Sequence, residues 1–282
     1  MDLDKDTHDV NDDVSQMGCC ERIKALSGKL FVEFFGTFVL TLTFITNSSY
    51  GIIFAYWIMS IFVWKISKAQ FNPAITVAYM FRNDGHKIHF SVGLLMMTAQ
   101  CAGAYIAAMY MSFMFFATYW MGPSFDTGKY AWYCVWQEII GTFVFVLLYK
   151  IVTDERLHFS KENSINMFVI AAIYQSSRQM VNGATAGIST YGACLNPAIA
   201  VGISLFSMLG NAGETFKWFW IYWFLPFAGS ALALLFYRYV YVKTQNMVAN
   251  SHDGKLADGE EEHLAEEEVD ILAPKDDEVT AM

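Results

Sequence analysis

Asn, Pro and Ala occur in that order twice, as Asn72-Pro73-Ala74 and as Asn196-Pro197-Ala198. The order suits the start of a helix. Asn is a good N-cap, because its side-chain oxygen takes a free backbone N–H of the first turn. Pro fits the first helical position, where a missing N–H costs nothing. The Asn NH2 remains free to donate to a passing oxygen, and the helix N-terminus adds a positive dipole end. Each triplet can hold the oxygen of a small neutral molecule, turn its hydrogens outward, and repel a cation or proton. A single copy reads most simply as a capped helix start. Two copies in equivalent places of a repeat read as a site.

The runs that follow the triplets set their depth. The run after Asn72 is apolar for about ten residues and ends at Arg82-Asn83-Asp84-Gly85, and the run after Asn196 is apolar to about Gly210. At 1.5 Å per residue each helix covers roughly 15 Å, half a bilayer. Non-helical backbone is tolerated at that depth only under protein cover or against a watery cavity. The residues ahead of each Asn are therefore expected to offer carbonyls to a path. They are Lys68, Ala69, Gln70 and Phe71 on one side, and Gly192, Ala193, Cys194 and Leu195 on the other.

The elements around the triplets place them in a membrane. Of 282 residues, 55% are hydrophobic and 17% aromatic, which is too apolar for an ordinary soluble domain. Six segments are apolar enough to span, at about 29–47, 49–67, 88–116, 131–152, 165–181 and 216–242. The net charge of -9 is divided unevenly: residues 1 to 16 hold six Asp and one Lys, and residues 251 to 282 hold twelve acids and two Lys. The division predicts an acidic tail over 1–28, a mildly basic membrane body over 29–242, and an acidic tail over 243–282. Such charge runs are normally solvated. Lys and Arg cluster before the first span (Arg22, Lys24, Lys29), after the second (Lys65, Lys68, Arg82, Lys87), after the fourth (Lys150, Arg156, Lys161) and after the sixth (Arg238, Lys243). The positive-inside rule then puts both termini in the cytoplasm.

The body repeats. EFFGTFVLTLTF at 33 to 44 answers EIIGTFVFVLLY at 138 to 149, so Glu33, Gly36 and Thr37 match Glu138, Gly141 and Thr142. Each stretch opens a triplet of spans, the first about 29–116 and the second about 131–242. Each triplet carries its Asn-Pro-Ala between its second and third spans. Three is odd, so the second copy is inverted relative to the first. Two inverted half-helices would meet at the midplane with their Asn face to face.

On these residues the chain resembles the aquaporins, the major intrinsic protein family. The resemblance runs from about Lys29 to Val242. It rests on the paired triplets and the Glu-x-x-Gly-Thr-Phe openings, with Ala99-Gln100 and Gly103-Ala104, Thr153-Asp154, and Tyr222-Trp223 with Pro226 and Gly229. It implies an all-α membrane protein of six transmembrane helices and two re-entrant half-helices, one pore per protomer, in a homotetramer. It implies that Glu33 and Glu138, which a membrane burial would otherwise mark as functional by default, accept hydrogen bonds from the half-helix loops. It implies a passive channel for water, with hydrogen peroxide, ammonia, glycerol or urea as further neutral solutes. The membrane would be the plasma membrane or an intracellular vacuolar one.

The departures lie at the outer constriction. Where the family usually has Arg after the second triplet, this chain has Ile199. Aligned without gaps, the other constriction positions are Ile52, Ala184 and Ala193. The distance from Asp154 to Asn196 is longer than in typical members. An insertion after the fifth helix would move the constriction position from Ala184 back to about Arg178, which would then supply the charge that position 199 lacks. The alternative is an Arg178 that snorkels to the outer surface. Ala200 and Tyr222-Trp223 lean toward water over glycerol. Cys19 and Cys20 stand ahead of the first span as free thiols or a palmitoylation pair.

Other function classes find little support. No nucleophile stands with a placed base, and no metal-ligand spacing or phosphate loop is present, so neither an enzyme nor a cofactor or metal is expected. No nucleic-acid partner is expected. The competing function is a closed or weakly conducting member kept for adhesion, assembly or structure.

Overall fold

The computed structural model describes residues 19–46, 49–82, 87–114, 131–154, 160–182 and 193–249. Ala184 and Gly192 lie outside these residues, as do most of both acidic tails and the side chains of Cys19 and Cys20. The described chain is helical: α1 (Cys19–Ile45), α2 (Ser49–Ser67), α3 (Pro73–Met80), α4 (Phe90–Met114), α5 (Ala131–Val152), α6 (Asn163–Asn182) and α7 (Pro197–Phe236). Among the described residues, five stretches are long and apolar enough to cross a membrane: Ile23–Ile45, Tyr50–Ser67, Phe90–Met114, Ala131–Val152 and Thr215–Ala249. The expected fifth span, α6, is a helix of 20 residues with a more polar composition. Its polar side chains Gln175, Ser177 and Arg178 are buried, while Ile165, Phe168 and Met180 are exposed. α1 begins at Cys19, ahead of the apolar stretch expected from 29.

The bundle shows large apolar side chains on its outside and buries polar ones within its apolar core. Phe31, Phe62, Phe113, Trp132 and Phe224 are exposed, whereas Glu33, Thr37, Gln100, Glu138 and Thr142 are buried. That distribution suits lipid as the outer solvent, since large exposed apolar surfaces are rare in water. α1 packs on α2 and α4, α6 packs on α2 and α5, and α3 sits against α4 and α5.

The repeat is visible in the contacts of matched glycines. A Cβ at Gly36 would strike the Phe71 ring, and one at Gly141 would strike the Leu195 side chain. Phe71 and Leu195 are the residues immediately before the two Asn. A Cβ at Gly103 would strike the Phe34 carbonyl of α1, and one at Gly229 would strike the Ile139 carbonyl of α5. Small residues thus bring the third helix of each triplet against the backbone of the first.

α3 is a half-helix of 8 residues, about 12 Å long. The second half-helix is the apolar stretch Pro197–Leu209, as expected, and helical backbone continues past it without an intervening loop. Helical hydrogen bonding runs on through α7 for 40 residues, about 60 Å if straight. It is not straight. Asn196, just before its start, donates to Phe71 O, and Ser230 near its end donates to Ala74 O at 2.8 Å. Both contacts lie at one end of α3, so the helix folds back between them. The halfway point falls at Gly213, close to Gly210, and glycines are common at sharp helix kinks.

Residues from Phe236 onward form a separate unit. Its described part includes a π-helical turn at Tyr237–Tyr241, where the Tyr237 and Tyr241 rings stack at 5.8 Å.

Packing at Gly229 yields a stability test. Gly229→Val should force α7 away from Ile139 and destabilise the fold by about 1–3 kcal/mol. Gly28→Ala, in a helix with no atom within 4 Å of the new Cβ, should stabilise it by roughly 0.5–1 kcal/mol. Thermal unfolding of the purified protein in detergent checks both. Equal midpoints for the two variants would contradict the close approach.

Candidate functional site

The two triplets meet. Asn72 caps α3 with extended backbone (φ -153°, ψ 119°), and its Oδ1 accepts from Ala74 N at 2.9 Å. Asn196 Oδ1 accepts from Ala198 N at 3.0 Å. With each oxygen held by its own helix, each Nδ2 points the other way. Asn72 Nδ2 donates to Leu195 O at 2.8 Å, and Asn196 Nδ2 donates to Phe71 O at 2.9 Å. These reciprocal bonds fasten one helix N-terminus to the other. Each NH2 carries a second N–H beyond the one used here. Pro73, Ala74, Pro197 and Ala198 lie in the first turns behind the Asn pair, and both Ala are buried.

The loops ahead of the Asn are strained. Lys68, Ala69, Phe71 and Leu195 have φ of 63°, 50°, 48° and 54°. Left-handed backbone costs a non-Gly residue on the order of 1–3 kcal/mol and persists only where the surroundings enforce it. At Phe71 and Leu195 the enforcing groups are two carboxylates. Glu33 accepts from Gln70 N at 3.1 Å and from Phe71 N at 2.7 Å. Glu138 accepts from Cys194 N at 2.6 Å and from Leu195 N at 2.9 Å. Gln100 Nε2 adds a bond to Glu33 at 2.7 Å.

With their N–H groups turned to the carboxylates, the loop residues turn their carbonyls the other way. Three of the eight expected path carbonyls meet tyrosine hydroxyls. Tyr149 donates to Lys68 O at 3.3 Å, Tyr56 to Gln70 O at 3.4 Å, and Tyr174 to Cys194 O at 2.8 Å. A fourth, Ala193 O, accepts from Arg178 Nε at 2.7 Å. Ala69 is buried in the same loop, and Gly192 is outside the described residues. The Gln70 side-chain oxygen is buried and has no hydrogen-bond partner among the described residues.

Of the expected constriction residues, Ile52, Ala193 and Ile199 are all buried, and Ala184 lies outside the described residues. Arg178 is also buried, 5% exposed, and does not reach the surface. Besides Ala193 O, it donates to Gln175 Oε1 at 3.0 Å, and its guanidinium lies 4.3 Å from the centroid of the Phe44 ring. α6 ends at Asn182, whose Oδ1 accepts from Ala193 N at 2.7 Å. That bond joins the two ends of the 183–192 stretch.

Sequence reasoning missed Phe44, Asn182 and the three tyrosines. A helical-period signal was present for two of them. Tyr56 follows Ile52 by four residues and Tyr174 precedes Arg178 by four, so each lies one turn from a constriction candidate on the same helix face.

The major intrinsic protein family model matches residues 45–237. The chain is 29% identical over 180 residues to "Probable aquaporin PIP2-8" of Oryza sativa subsp. japonica, covering 62% of this chain and 61% of that protein. It is 29% identical over 185 residues to "Probable aquaporin TIP3-2" of Arabidopsis thaliana, covering 64% and 62%. It is 26% identical over 185 residues to "Aquaporin-1" of Ovis aries, covering 63% and 61%. The match thus spans about three fifths of these relatives' length. Among solved structures, the aquaglyceroporin from Plasmodium falciparum superposes with a TM-score of 0.63 at 20% identity, covering 80% of this chain and 99% of that one. At that identity the likeness is one of fold.

The carboxylate bonds make a prediction. Glu138→Gln keeps one acceptor but turns an NH2 toward a backbone N–H, leaving Cys194 N or Leu195 N unsatisfied. The expected loss is about 1–3 kcal/mol of stability, read as a lowered unfolding midpoint in detergent. An unchanged midpoint would mean that the left-handed loop is held by something else.

Proposed function

The chain belongs to the major intrinsic protein family, and from that premise we propose that it forms a passive pore for water and small neutral solutes while excluding protons and ions. One observation carries the reading: two capped helix N-termini, tied by reciprocal bonds between Asn72 and Leu195 and between Asn196 and Phe71. Each Asn retains an N–H for the oxygen of a permeant. A water taking both would aim its hydrogens away from the amides, which breaks the chain of hydrogen bonds a proton would need. The two positive helix ends add a barrier to cations. The Gln70 side-chain oxygen supplies an acceptor at the same depth.

In this reading Glu33 and Glu138 are positioning residues, because their bonds go to loop backbone. The outer constriction consists of Ile52, Ala193, Ile199 and Arg178. Arg178 takes the role of fixed positive charge that Ile199 cannot fill. Its bond to Ala193 O and its seat on Phe44 support that assignment. The assembly is a homotetramer with one pore per protomer and both termini in the cytoplasm. Hydrogen peroxide, ammonia, glycerol and urea are the neutral solutes to compare with water. The membrane is plasma or vacuolar, as the resemblance to both kinds of plant aquaporin suggests.

Stopped-flow light scattering on proteoliposomes tests the pore. Fast osmotic shrinkage with a weak temperature dependence is expected, and shrinkage no faster than in empty liposomes would overturn the reading. Arg178→Ala tests the charge. The variant should pass methylammonium several-fold faster than the parent, as loss of one fixed charge from a low-dielectric site implies, with water flux retained. An unaltered ratio of cation leak to water flux would remove Arg178 from the constriction.

A further inference from the structure

We infer that Tyr56, Tyr149 and Tyr174 form a second selectivity element, which screens neutral permeants by size at a level separate from Arg178 and Ile199. The inference rests on the channel reading above. Three helices send one tyrosine each toward the carbonyl row. Tyr56 comes from α2, Tyr149 from α5 and Tyr174 from α6. Their hydroxyls touch Gln70 O, Lys68 O and Cys194 O. At these three levels a single phenol bridges the whole distance from helix wall to carbonyl row.

The rings also close ranks sideways. Tyr56 meets Tyr174 edge-on at 5.8 Å, and Phe145 lies 5.1 Å from Tyr174 and 6.1 Å from Tyr149. Tyr79, at the far end of α3, places its hydroxyl 3.3 Å from that of Tyr149. Tyr56, Tyr149, Tyr174 and Phe145 are all buried. The three hydroxyls thus meet carbonyls of the loops that lead to the Asn pair, and in the channel reading a molecule moving along those carbonyls meets the three rings in succession.

The chemistry favours water over wider molecules. Each phenol directs its one proton at a carbonyl and keeps lone pairs as acceptors, and each carbonyl keeps a second lone pair. A water can bond to hydroxyl and carbonyl in turn without displacing either. A three-carbon polyol must push a ring aside. The loop cannot yield in its place, because Glu33 and Glu138 hold it by two backbone bonds on each side. The ring is the part that moves, and its size sets the barrier.

Parallel measurements of water and glycerol permeability on full-length protein in liposomes test the inference. The variants are Tyr174→Val, Tyr56→Val and Tyr174→Phe, each checked for monodispersity before reconstitution. Either Val variant should raise glycerol flux roughly tenfold or more, a barrier lowered by about 1.4 kcal/mol. Tyr174→Phe keeps the ring, loses one hydrogen bond, and should leave glycerol flux near the parent value. If one Val variant fails to fold, the other decides. A parent that conducts water, with Val variants that admit glycerol no faster, overturns the size screen and leaves the channel reading standing. A Tyr174→Phe variant that opens to glycerol as far as Tyr174→Val also overturns it, since the hydroxyl rather than the ring would then be the barrier. A parent and variants that all match empty liposomes overturn both readings together.

Discussion

A buried carboxylate facing two backbone N–H groups is the interaction on which the rest of this structure depends. It occurs twice. Carbonyls can line a membrane path only if the same residues' N–H groups find acceptors on the other side, because an unpaired polar group in hydrocarbon costs several kcal/mol. Helix and sheet cannot supply them, since the loops belong to neither. Glu33 and Glu138 supply them from within transmembrane helices, and the strain of the left-handed residues is held by the same bonds. The acids sit deep because the loops sit deep. Gly36 and Gly141, one helical turn further along, leave the space that Phe71 and Leu195 fill.

The two halves are alike in this frame and unlike in what hangs on it. In the first half Gln100 bridges Glu33 and Thr76, extending the network toward α4. In the second half Asn182 and Arg178 take hold of Ala193 from α6. The asymmetry places the Arg178 guanidinium, seated on the Phe44 ring, at the second loop. An inverted repeat thus need not give an inverted function: the frame is duplicated, and the fittings are not.

What could be read in the amino-acid order was whatever repeats at a fixed spacing. The paired Asn, the two Glu and the small residues that touch helix backbone all follow from periodicity and from the needs of backbone at membrane depth. The tyrosines did not stand out, because among many aromatic residues in apolar helices an inward-facing ring and an outward-facing ring have the same neighbours in sequence. Arg178 was ambiguous because its register depends on where the extra residues expected before Asn196 are placed. α6 itself gives a weak hydropathy signal since its inner face carries Gln175, Ser177 and Arg178. The fold-back of α7 was legible in the interval between the apolar run ending near Gly210 and the sixth span at about 216–242; the continuity of helical backbone across that interval was not.

The bonds that tie the two Asn have a consequence for synthesis. Phe71 and Asn196 are 125 residues apart. At roughly 5–20 residues per second, a ribosome needs on the order of 6–25 s to deliver the second after the first. For that interval Phe71 O has no Asn to receive, and Asn72 has no Leu195 carbonyl to meet. A half-made chain therefore carries the first helix N-terminus before the counterpart that ties it exists.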